Sequence, residues 1–248
     1  MKSTIKLIAM AILAGGIMVA NPVSAQTTKQ EKKENKELKK DQQELHKQVY
    51  AKTEKQAAKE AKKLEKEGWK TMGLPIAKQL DETWMKMYDR EASGYPRYIY
   101  AQEMATANSF SAAQSQADNI AKLRIASQVS SSIAALTDIA LANNEISQKE
   151  AASITKAVEN AKVIVSQKLG RTFKTMEIYQ ELSNGNYRVR VTVFYDMKSA
   201  AAIAHEAIMN ELKNDSEVNK AQLEAMLGMD KLIDQTSKNM PKYDEVDE

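Results

Sequence analysis

The segment that most limits the fold is a hairpin near the end of the chain. Phe173 to Leu182 and Tyr187 to Tyr195 are rich in β-branched and aromatic residues, with Asn184-Gly185 between them. That pair tolerates positive φ and predicts a two-residue turn. In the second strand Tyr187, Val189, Val191, Val193 and Tyr195 face one way, and Arg188, Arg190, Thr192 and Phe194 the other. A hairpin alone is marginal in water, so it needs a third strand or a covering helix.

The third strand lies upstream. Tyr98, Tyr100, Gln102 and Met104 alternate with Ile99, Ala101, Glu103 and Ala105. Between it and the hairpin lie two helical stretches. The first runs from about Ser111 to Ala142, opened by Asn108-Ser109 and closed by Asn143-Asn144; Ala113, Ala117 and Ala121 give it a flat face for close approach to a sheet. The second opens on Ser147 and Glu150, spaced as a capping box, and ends near Leu169-Gly170. Asp196 caps a further helix through Lys213, and Ser216 one more to about Ile233. The order strand, helix, helix, strand, strand, helix predicts an α+β fold. It consists of a small antiparallel sheet with helices on one face, rather than a doubly wound parallel sheet. The other face is left to the segment around Trp84 or to a second copy of the chain.

Five regions follow. Residues 1–25 read as a secretory signal peptide: Lys2 and Lys6 precede an apolar run from Leu7 to Ala20, and small residues end at Ala25. Residues 26–67 form a charged extension in which lysine and glutamate interleave. Leu38, Leu45, Val49, Ala57, Ala61 and Leu64 mark a stripe too thin for a coiled coil. The expectation is a solvated helical spacer, with an envelope-binding or partner-binding arm as the sharper reading. Residues 68–96 hold a loop and a docking helix, opened by Pro75, with Ile76, Leu80, Trp84 and Met87 on one face. Residues 97–214 are the α+β core, and 215–248 a C-terminal helix and acidic tail. No second long apolar run is expected after the signal.

Composition removes several chemistries. There is no cysteine, so disulfides, thiol nucleophiles and thiolate metal sites are excluded, as is a lipid-bearing cysteine after the signal. Taking the two signal lysines from a formal charge of +3 leaves +1, which gives no general attraction to nucleic acid. Of the two histidines, His46 lies in the extension and His205 is followed by Glu206 without the second histidine of a zinc-protease motif. No nucleophile elbow, phosphate loop, dinucleotide fingerprint or EF-hand loop is present. No catalytic, cofactor-binding or metal residue is assigned, and the expectation is a non-enzyme without a cofactor.

Three weaker features remain. Arg188 and Arg190, with Arg171 and Lys174 and with Tyr179 or Phe194, could line a basic stripe, but charged residues commonly mark the wet face of an antiparallel sheet. Such a stripe would suit lipid phosphate or an acidic glycan better than nucleic acid. Met85, Met87, Met104, Met226 and Met229 are spaced like core positions, with an adaptable surface around Met226, Leu227 and Met229 as the alternative. Trp69 and Trp84 read as packing anchors.

Over Tyr98 to Ala200 the chain resembles the LPP-type lipoprotein family, that of the twenty-kilodalton membrane-associated surface lipoprotein. The resemblance rests on the Tyr98–Ala107 strand, the helix segment Ala117 to Ala126, and the hairpin strand Tyr187 to Val193. It implies a compact α+β envelope module for adhesion, assembly or partner binding, and no active-site residue. The lipid-bearing cysteine behind the family name is missing here, so lipid anchoring is not implied. The function expected is that of an exported, non-catalytic cell-envelope module, periplasmic or at the cell surface, with an envelope protein as partner. A small-molecule, lipid or glycan binding module is the alternative, and self-association stays open.

Overall fold

A computed structural model describes residues 53–240. The expected signal peptide, the extension up to residue 52 and the acidic tail lie outside the described residues. Helix α1 occupies 53–66, followed by α2 (Ile76–Tyr88), β1 (Tyr98–Ala107), α3 (Phe110–Ala142) and α4 (Gln148–Lys168). Then come β2 (Phe173–Glu181), β3 (Tyr187–Asp196), α5 (Met197–Glu211), α6 (Lys220–Met226) and α7 (Met229–Asn239). The fold is α+β. The three strands form one antiparallel sheet in the order β1-β3-β2, with Glu103 and Glu177 both opposite Val191.

One face of the sheet carries the main core. Ile99, Ala101, Ala105, Val189, Val191 and Val193 are buried under α3, whose Ala113, Ala117, Ala121 and Ile125 are completely covered. Alanine at these positions lets the helix lie close to the pleated surface. By length and composition α3 could cross a membrane, a second apolar segment that the sequence did not reveal because its alanines are diluted with serine and threonine. It packs on β1, β3, α4 and α7, and is apolar on several sides because several sides are covered. Buried Ser132 and Thr137 donate to the carbonyls of Gln128 and Ile133 one turn back, so their hydroxyls are satisfied inside the helix.

The opposite face is covered over β2 by α1 and α2. Ala57, Ala61 and Leu64 of α1 and Ile76, Leu80 and Trp84 of α2 form a second core with Trp69, Met176 and Ile178. The boundary expected at residue 67 therefore falls within packed structure: the last turns of the charged stretch are part of the body rather than a free spacer. A buried hydrogen bond from Thr53 Oγ1 to Asp81 Oδ1 (3.0 Å) ties α1 to α2.

Termini follow local chemistry, with two corrections. Ser109 accepts from Ala112 N–H, and both reciprocal bonds of the Ser147/Glu150 capping box are present. Asp196 accepts from Ser199 N–H at the start of α5. The fourth expected helix is instead two. Asn219, not Ser216, caps α6, and the chain breaks at Leu227-Gly228 before α7. The hairpin turn is also different. Gly185 N–H donates to Leu182 C=O (2.9 Å) across Ser183 and Asn184, Leu182 N–H donates to Asn186 C=O (2.8 Å), and only Gly185 has positive φ (+80°). This is a type I turn followed by a left-handed glycine rather than the two-residue turn expected.

Candidate functional site

The basic stripe considered on the hairpin is not assembled. Lys174 lies on the α3 side of the sheet, bound to Asp118 (2.8 Å) and Glu177 (2.5 Å). Burial pulls its pKa down, but those two carboxylates outweigh it and leave the ammonium above its ordinary value. Arg190 lies on the other face with its guanidinium 4.4 Å from the Trp69 ring, and burial pulls its pKa below the usual range. Arg188 reaches Gln180 Oε1 at 3.4 Å. The expected wet face of β3 is largely dry: Thr192 and Phe194 are fully buried, and Phe194 packs against Tyr98 and Tyr100. A non-local covering, not strand alternation, decides that.

His205 Nε2 meets Glu224 Oε2 at 3.2 Å between α5 and α6; His46 lies outside the described residues. Met226 and Leu227 are buried, which removes the adaptable surface considered there, while Met104 is 46% exposed rather than in the core. Trp69 and Trp84 are both buried. Among the described residues no group of three or more His, Asp or Glu is placed to hold a metal ion.

What the fold does create is a single-sign face on α1. Thr53, Ala57, Ala61 and Leu64 point into the body, which fixes the rotation of the helix. Lys55, Lys59, Lys62 and Lys66, spaced i, i+4, i+7 and i+11, then fall on the opposite side in one row, all exposed. The row is about 16 Å long at 1.5 Å per residue. A shallow depression runs along it, with Lys63 and Glu67 at its margin. Lys63 is paired with Glu60 (3.7 Å), whereas none of the four row lysines has a carboxylate partner among the described residues. No family model, curated protein or solved structure matches this chain. The chemistry of the α1 row is that of four ammonium groups without a carboxylate partner among the described residues, an arrangement that can attract an anionic surface.

The sequence contained this row, but within a lysine-glutamate run any helical face shows some lysines. The signal became specific only once the buried alanines set which face is outward.

Proposed function

We propose that this chain is an exported, non-catalytic module of the cell envelope that rests on an anionic lipid surface through the lysine row of α1. The observation that carries the reading is the opposition of Lys55, Lys59, Lys62 and Lys66 to the docked face of the same helix. The apolar side of α1 is occupied by the body, so contact with lipid is electrostatic and peripheral rather than insertive. A basic residue at an anionic surface contributes about 1 kcal/mol, so the row contributes about 4 kcal/mol, enough for reversible attachment and sensitive to salt. The segment Lys2 to Ala25 supports export, and the resemblance to LPP-type lipoproteins over Tyr98 to Ala200 supports an envelope role.

The test is co-sedimentation with vesicles rich in phosphatidylglycerol. Binding is expected at low salt, loss is expected above about 0.5 M salt, and the K55Q/K59Q/K62Q/K66Q protein should bind more weakly by about two orders of magnitude or more. Equal binding to zwitterionic vesicles, or full binding by the quadruple variant, would overturn the reading. So would binding of a soluble acidic polysaccharide with anionic vesicles ignored.

A further inference from the structure

The two edges of the sheet are treated differently. Along the outer side of β2, Glu177 N–H donates to Gln79 Oε1 (2.7 Å), and Tyr179 exchanges both backbone bonds with Lys70 (2.7 and 2.8 Å). A bulge between Lys174 and Met176 disrupts the strand further. On β1 the pairing with β3 turns the N–H and C=O of Tyr98, Tyr100, Gln102, Met104 and Thr106 outward. Gln128 Nε2 holds the Tyr100 carbonyl at 3.0 Å. Beyond it, the backbone groups of Gln102, Met104 and Thr106 have no partner among the described residues, and β1 contains none of the lysine, proline or bulge that usually blocks an edge.

We propose that β1 is a self-association edge, on which a second copy of this chain adds its own β1 antiparallel about a twofold axis at Met104. In this register Met104 meets Met104 and Gln102 of each copy meets Thr106 of the other, so the open groups satisfy one another. Glu103 falls opposite Ala105, and no like charges oppose. An axis at Gln102 would demand the Tyr100 carbonyl that Gln128 occupies, and one at Glu103 would set carboxylate against carboxylate. An axis at Ala105 would leave Gln102 unpaired within the strand.

The flanking surface agrees with this axis. Helix α3 runs back along β1, with Gln128 at Tyr100 and Arg124 Nε 2.8 Å from Glu103 Oε1, so Ile120, one turn on, lies abreast of Met104. Ile120 and Leu123 are 40% and 43% exposed on that flank. Strands lie about 4.8 Å apart and α3 sits over β1 and β3, so twofold pairing brings the two α3 axes to about 10 Å, the spacing of packed helices. Arg124 is the charged residue on the flank beside these two, and Glu103 of its own copy neutralises it. Charge therefore does not oppose the contact. The inference is independent of the lipid reading.

The test is the mass of the full chain by light scattering and sedimentation, from about 1 to 100 μM, with Met104→Lys. The unmodified protein should form dimers. Met104→Lys sets two ammonium groups at the axis and should return monomers with an unchanged melting curve below the dimerisation range, since position 104 is exposed in the monomer. In the cysteine-free chain, Met104→Cys should crosslink through a short bismaleimide, and Leu74→Cys, exposed in the loop before α2, should not. A monomer throughout the range, a dimer that Met104→Lys leaves intact, or equal crosslinking from both cysteines would each overturn the proposal.

Discussion

The guanidinium of Arg190 lies 4.4 Å from the centre of the Trp69 ring. The contact joins the loop after α1 to the central strand. It explains how a lysine-rich helix with mainly alanine on its inner side stays on the body. Trp69 is 5% exposed and closes the second core, with its backbone N–H bonded to Leu64 C=O (3.0 Å). Trp69→Ala is expected to cost about 3–5 kcal/mol and to make residues 53–66 sensitive to protease before the sheet unfolds. Arg190→Met keeps most of the packing and removes the cation, so about 1 kcal/mol is expected. Thermal unfolding and limited proteolysis of the two variants check both.

Thr83 and Thr175 make a second cross-link on this face, and its direction can be assigned. Thr83 Oγ1 is 2.7 Å from Gln79 C=O and 2.7 Å from Thr175 Oγ1, and a hydroxyl has one proton. Thr83 donates to the carbonyl, so Thr175, at the bulge of β2, donates to Thr83. Thr83→Val then strands a buried donor and is expected to cost about 1–3 kcal/mol. Thr175→Val leaves Thr83 still bonded and should cost less, about 0.5–1.5 kcal/mol. Equal losses in denaturant midpoints would reject the assignment.

What was legible in the sequence was mostly local. The Ser147/Glu150 box, the Ser109 and Asp196 caps and the alternation of β1 and β3 depend on residues a few positions apart. The burial of Phe194 depends on aromatic neighbours from β1 nearly a hundred residues away, and the β3 pattern alone favoured a wet face. The docked side of α1 was marked in the sequence by Ala57, Ala61 and Leu64, but alanine carries little hydrophobic signal, so this thin stripe was expected on a solvated spacer; Ala57 and Ala61 matter by allowing close approach. The contrast between the sheet edges was not legible at all. It follows from strand order, which puts β3 in the centre, and from Gln79 and Lys70 reaching β2 from a separate segment.

The hairpin illustrates how a correct motif can carry the wrong geometry. Asn184-Gly185 marks the turn, yet only Gly185 has positive φ, while Asn184 Oδ1 accepts from Asn186 N–H (3.1 Å). Gly185→Ala is expected to cost about 1–2 kcal/mol through left-handed strain, with no steric clash because nothing lies within 4 Å of an added Cβ. Asn184→Ala should cost only the side-chain bond, about 0.5–1 kcal/mol. A two-residue turn with both positions left-handed would instead make both sites strongly sensitive, which paired melting curves distinguish.

Glu150 gives the fold an acid-dependent joint. One carboxylate oxygen accepts from Ser147 N–H (2.8 Å) at the start of α4, and the other accepts from Asn219 N–H (3.1 Å) at the cap of α6. These two backbone donors hold its pKa below the ordinary range of a glutamate carboxyl. A carboxylate with a depressed folded pKa stabilises the native state at pH values above its unfolded pKa. That contribution is lost as pH falls through the folded value. The group is partly open to water, so solvent screening keeps the effect below about 1 kcal/mol, or about 2–4 °C in a domain of this size. Glu150→Gln should therefore lower the melting temperature at pH 7, and the two proteins should converge as pH drops below 4.5 toward the depressed folded pKa. Ser147→Ala removes the partner cap, about 1 kcal/mol, and should lower the melting temperature at neutral and acidic pH alike. A gap between Glu150→Gln and the unmodified chain that persists unchanged into strong acid would show that the carboxylate's charge is not what these two backbone donors stabilise.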